Sequence, residues 1–177
     1  MVNLIERVRK VIVHADGKIS ESFYDWQGRG TDFEVRKAQV QHVSVSKVVE
    51  IRTYLVSDSD SEVLFRAAGV PCILPDRTGV LVVFNDEPSK FDCPDAPWFF
   101  GFPHNAAIYN VDGSLRYQLE NPHGEGSYIG AVHQDVTQDA QPALGVLVNE
   151  IGKNPEFLCL VDPESSKLIS TWKWIRY

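Results

Sequence analysis

The stretch Val43-Ser44-Val45-Ser46-Lys47-Val48-Val49-Glu50-Ile51-Arg52-Thr53-Tyr54-Leu55 carries the reading of the fold. Its odd positions are Val43, Val45, Lys47, Val49, Ile51, Thr53 and Leu55, and its even positions include Ser44, Ser46, Glu50 and Arg52. Apolar and polar residues alternate with one lapse, at Lys47. A period of two puts alternate side chains on opposite faces, so the pattern predicts a half-buried strand. A helix would put Val45, Val48, Val49 and Val56 on one face with Arg52 among them, and the β-branched content favours the strand. The length of the run predicts a bend or bulge near Ser46-Lys47.

Working outward, the same signal recurs over 8–14, 18–25, 63–67, 79–85, 106–111, 114–120, 128–133, 143–149, 156–161 and 167–175, punctuated by Gly, Pro, Asn and Asp. The final run alternates with Leu168, Ser170, Trp172 and Trp174 on one parity, which predicts a strand paired into a sheet, because an unpaired edge this aromatic invites aggregation. A short helix is expected at 3–9, or a turn at 34–38. No linker or low-complexity segment divides the chain. The expectation is one all-β domain over 1–177, mainly antiparallel, arranged as a β-meander, with at most one or two short helices.

Three turns are legible. Asp16-Gly17 and Asp112-Gly113 each separate two apolar runs, and Asp-Gly suits a type I′ turn in which both central residues take positive φ. Residues 161–167 read as a longer turn. Asp16, Asp112 and Asp162 recur at multiples of about one propeller-blade period, ~40–50 residues. Ile108-Tyr109-Asn110-Val111-Asp112-Gly113-Ser114-Leu115-Arg116-Tyr117 resembles the outer hairpin of a β-propeller blade, and so does the stretch from Leu160 to Leu168. The resemblance implies an incomplete, propeller-like meander. The Pro-rich stretch 86–105 does not supply the strands of a closed ring, so a β-sandwich stands beside it.

The chain has 177 residues, 44% apolar and 11% aromatic, enough for a hydrophobic core. Seventeen Lys and Arg against twenty-four Asp and Glu leave a net charge of −7. That balance argues against a general nucleic-acid binder. No apolar run approaches the ~20 residues of a membrane span. No apolar leader with a small-residue cleavage site opens the sequence, so the cytoplasm is the expected compartment.

The charge is unevenly placed. Residues 1–55 carry nine Lys/Arg and seven Asp/Glu, whereas 58–139 carry four and thirteen. Within the second segment Asp86, Glu87, Asp92 and Asp95 lie among prolines and the aromatics Phe91, Trp98, Phe99, Phe100 and Phe102. Acids around rigid aromatics suit a surface for a basic protein: the rings supply contact area and the acids steer encounter. The same rings also suit a core. The expected partner-binding residues are Asp86, Glu87, Asp92, Asp95 and Trp98, with Asp58, Asp60 and Glu62 as a second acidic patch.

Other chemistries have less to stand on. His104, His123 and His133 fall within thirty residues, with Glu125 and Asp135 two positions after the second and third. On a strand, i and i+2 share a face, so a metal-dependent hydrolase is the enzymatic alternative. Cys72, Cys93 and Cys159 form no Cys-x-x-Cys pair, and Cys159 reads as a buried apolar residue. The aspartates beside Cys93 disfavour a thiolate there. Gly28-Arg29-Gly30 and Gly124-Glu125-Gly126 read as turns, not phosphate loops. No catalytic motif and no cofactor is implied.

A small, acidic, β-rich chain of this kind is similar in type to bacterial immunity proteins. That resemblance implies a non-enzymatic module that occludes the cationic active site of a toxin domain, such as a nuclease, with acidic groups. A structural subunit, its aromatic segment buried in an assembly, is the third reading.

Overall fold

The computed structural model describes residues 3–67, 69–84, 99–138, 141–152 and 156–175. Among the described residues the fold is all-β and mostly antiparallel, with one helix. Its elements are β1 (Ile5–His14), β2 (Ile19–Asp25), α1 (Phe33–Val45), β3 (Val48–Ser57), β4 (Glu62–Phe65), β5 (Cys72–Ile73), β6 (Gly79–Val83), β7 (Ala106–Asn110), β8 (Leu115–Gln118), β9 (Ser127–Gln138), β10 (Gln141–Glu150), β11 (Glu156–Val161) and β12 (Leu168–Ile175). They form three four-stranded sheets, β2-β1-β3-β4, β5-β6-β7-β8 and β9-β10-β11-β12, none closed into a barrel. The two hairpins that carried the propeller resemblance, β7–β8 and β11–β12, each sit at an edge of a sheet.

The middle sheet, β5–β8, is covered on both faces. Val80, Val82, Ala107 and Tyr109 pack on Ile5, Val8, Leu55 and Phe65 of the first sheet. Leu81, Ala106 and Ile108 point the other way, onto Ile129, Val146, Val148 and Cys159 of the third. This is why β6 and β7 read as unbroken apolar runs. Cys159 is fully buried, as its sequence context predicts. Asn105, also fully buried, donates through Nδ2 to the carbonyls of Phe84 and Ile129, each at 2.9 Å, and accepts from the Ile129 N–H at 2.8 Å. It ties the loop entering β7 to β9.

Two expectations are corrected. The stretch 43–55 is not one bent strand. Its first part ends α1, and the lapse at Lys47 marks a helix-to-strand junction. Asp32 caps the helix by accepting from the Glu34 N–H at 2.9 Å. The alternation of Val43 and Val45 is incidental, because no residue of α1 is buried. Conversely, 3–9 begins β1. Ile5 and Val8 lie three apart as in a helix, but a register shift between Ile5 and Arg7 brings both to the core face.

The Asp-Gly turns form hairpins, but not of type I′. Only the glycines take positive φ, 83° at Gly17 and 78° at Gly113. In each, the glycine N–H bonds back to the residue three before it, and that residue's N–H bonds to the one after the glycine. This is a type I turn closed by a left-handed residue. Residues 25–29 and 57–61 repeat it, the latter with Asp60 in the left-handed position at φ 58°. The parity of the last strand also breaks. Leu158 pairs with Lys173 and Cys159 with Ser170, so Thr171 and Trp172 form a bulge.

Candidate functional site

Four turns gather at one end of the stack. The guanidinium of Arg116, on β8, donates to the Asn110 side chain at 2.7 Å, the Thr78 carbonyl at 2.7 Å and the Pro163 carbonyl at 3.3 Å. It thereby joins the β5–β6, β7–β8 and β11–β12 turns. The Ile5 N–H donates to the Arg77 carbonyl, and the Asp58 N–H to the Leu4 carbonyl, each at 2.9 Å, which adds the β3–β4 turn.

These turns carry Asp58, Asp60, Asp76, Asp112, Asp162 and Glu164. Turn chemistry accounts for half of them. Asp76, Asp112 and Asp162 each accept the backbone N–H two residues on, at 2.9–3.0 Å, closing an Asx-turn. No such bond involves Asp58, Asp60 or Glu164. Hydrogen bonds from the hydroxyl and N–H of Ser114 hold the Asp112 carboxyl below the usual carboxylate range.

Arginines of β1 offset part of the charge. Arg7 pairs with Asp60 at 3.0 Å, and Arg9 with Glu62 at 2.7 Å and Glu21 at 3.2 Å. Among the described residues, Asp58, Asp76, Asp112, Asp162 and Glu164 have no ion-pair partner. Two clefts open here. One, of about 160 Å³, lies between the first and middle sheets, with Ser57, Ser61, Val63 and Asp112 among its lining. The other, of about 470 Å³, lies between the middle and third sheets beside Asp76 and Pro163. The arrangement offers fixed negative charge next to apolar clefts. The hydroxyls of Ser57, Ser59 and Ser61 bond in sequence at 2.9 and 3.2 Å, which serves the turn itself.

No protein-family model, curated protein or solved structure matches this chain.

The expected site residues fall unevenly on this geometry. Asp58, Asp60 and Glu62 lie at the acidic end, the last two in ion pairs. Asp86, Glu87, Asp92, Asp95, Trp98 and Cys93 lie outside the described residues. Phe99 and Phe100 are half-buried, edge-on to Phe84 with ring centres 5.9 and 5.7 Å away, so the core uses them.

The histidine reading finds no convergence. Among the described residues no group of three or more His, Cys, Asp or Glu is placed to hold a metal ion. His104 Nδ1 accepts from the Asn121 N–H at 2.9 Å, and His123 stacks on Phe157 with ring centres 4.7 Å apart. His133 lies on β9, opposite Gly145. Glu125 is exposed in a turn, and the side chain of Asp135 lies outside the described part. Two other histidines do meet. His14, buried, lies 3.1 Å from the Ser20 hydroxyl and edge-on to His42, whose Nε2 is 3.1 Å from Asp16. Burial pushes the Cys159 thiol up to about 11 and raises that of Cys72, so neither is a ready nucleophile at neutral pH.

In the sequence, Asp76, Asp112, Asp162 and Glu164 read as turn residues or as members of a broader acidic segment. Their shared place in space is set by the pairing of β6 with β7, Gly79 opposite Asn110, by the packing of the middle sheet on the third, and by the Arg116 bonds to Thr78 and Pro163.

Proposed function

We propose that the chain is a non-enzymatic protein-binding module whose acidic turn-bearing end docks a basic partner, in the manner of an immunity protein occluding a cationic toxin domain. The observation that carries the reading is the group of five carboxylates, Asp58, Asp76, Asp112, Asp162 and Glu164, without cations of their own among the described residues, beside two apolar clefts. Uncompensated fixed charge accelerates encounter with an opposite charge and rejects like-charged competitors. Apolar clefts supply the desolvated contacts that hold a complex once formed. Asp86, Glu87, Asp92, Asp95 and Trp98 are a second acidic segment to be tested separately.

The test is a pull-down with the tagged chain from lysate of its source cells at low and moderate salt. The reading expects one stoichiometric basic protein that is lost as salt rises. Asp58→Asn with Asp112→Asn should slow its association and flatten its salt dependence, with the circular dichroism spectrum unchanged. A neutral or acidic partner, or association unaffected by these and by Asp92→Asn with Asp95→Asn, overturns it.

A further inference from the structure

The larger cleft has a shape that negative charge alone does not explain. Its floor is Leu74, Leu144 and Val161, all part of the core shared by the middle and third sheets. Its walls include Pro75, Pro142 and Pro163, which offer no N–H and little freedom to collapse. Asp76 and Gln141 are the polar side chains that line it. A volume of about 470 Å³ admits a large aliphatic side chain together with the residues on either side of it.

The opening is built before any ligand arrives. Arg116 holds Thr78, beside Asp76, on one rim and the Pro163 carbonyl on the other. Preorganised walls cost a ligand less on binding. Asp162 and Glu164 flank Pro163. Like Asp76, both lack an ion pair among the described residues.

We infer that this groove seats an extended segment of a basic protein, with an aliphatic side chain on the floor and a neighbouring lysine or arginine against Asp76 and Glu164. The inference rests on the basic-partner reading above and adds the chemistry of the segment recognised. Charge complementarity selects this occupant. A purely apolar ligand would leave Asp76 facing a desolvated surface, and a second copy of this chain, at net −7, would bring like charge to the rim.

The experiment is a ¹⁵N–¹H titration of the whole chain with three capped pentapeptides: Gly-Lys-Leu-Lys-Gly, Gly-Lys-Gly-Lys-Gly and Gly-Glu-Leu-Glu-Gly. The first should give saturable shifts at Leu74, Asp76, Leu144, Val161 and Glu164, weakened severalfold between 20 and 200 mM salt. Asp76→Asn with Glu164→Gln should weaken it roughly tenfold. Asn keeps the Asx-turn, so the fold survives the change. Equal binding of the leucine-free lysine peptide overturns the groove and leaves the basic-partner reading standing. Equal binding of the glutamate peptide, shifts mapping elsewhere, no binding of any peptide, or the same shifts on concentrating the free chain also overturn the groove. Peptide binding here without any basic protein retained from lysate would instead fail the broader reading alone.

Discussion

Arg116 holds both oxygens of Thr78, the carbonyl at 2.7 Å and the hydroxyl at 3.1 Å, from a strand 38 residues further along the chain. The same guanidinium reaches Asn110 and Pro163, so one planar fork serves three turns. Lysine has a single ammonium and cannot reproduce that geometry. Arg116→Met should lower stability by about 2 kcal/mol, and Arg116→Lys should recover only a small part. Urea denaturation midpoints check this. Equal stability of both variants with the parent would show that the turns hold without the clamp.

Asp60 occupies the left-handed position that glycine fills at Gly17, Gly28 and Gly113 in the matching turns. A side chain there carries strain, and its ion pair with Arg7 is largely exposed and contributes little. Asp60→Gly should therefore raise stability by ~0.5 kcal/mol or leave it unchanged, whereas Asp60→Ala should lower it. Thermal denaturation of the two variants gives the order.

Trp172 has φ 57° on the β12 bulge and is 80% exposed. A bulky residue in that conformation costs about 1–2 kcal/mol. Trp172→Gly should stabilise the β11–β12 hairpin by about 1 kcal/mol, read from denaturation or hydrogen exchange at Leu158. Loss of stability would mean that the indole covers the apolar residues of β11 more than its exposure implies.

Asn105 satisfies three backbone groups that would otherwise be buried without partners. Asn105→Ala should cost about 3 kcal/mol or more, a large part of a domain's stability. Asn105→Asp keeps the shape and loses the donors, so it should be destabilised as well. A small change in either variant would argue that water replaces the amide.

Several carboxyls are held below their ordinary range. Asp112 is lowered by Ser114, Asp16 chiefly by the Lys18 N–H, and Glu50 by the Arg52 guanidinium. The folded form of each binds its proton more weakly than the unfolded chain. Their stabilisation is complete above the unfolded carboxylate range and is lost as pH falls through the lower, folded values. The melting temperature should drop below about pH 4, and Asp112→Asn should blunt part of that drop. A curve unchanged in Asp112→Asn would remove Asp112 from this set.

The strands and turns were legible in the sequence because their signals are local. Alternation in Ile51, Thr53 and Leu55 marked β3, and Asp16-Gly17 and Asp112-Gly113 marked hairpins. The type of those turns was not legible, since hydrogen bonds and the conformation of neighbouring residues decide it. Helix α1 was hidden because Val35, Val40, Val43 and Val45 favour strands, and none of the helix's residues is buried to leave a period of 3.6. The acidic end was only half visible. Asp58, Asp60 and Glu62 stood out as a run, while Asp76, Asp112, Asp162 and Glu164 looked like separate turns.

The class of the fold, the position of most strands and the excess of negative charge follow from short segments, because propensity, period and charge are local properties. Which of those charges share a face, and which are paired, depends on how distant segments come together. Strand pairing set Arg9 beside Glu21 and Glu62, and packing on both faces of the middle sheet brought Asp76, Asp112 and Pro163 to one end. Neither is written in any single segment, since each depends on contacts between residues far apart in the chain.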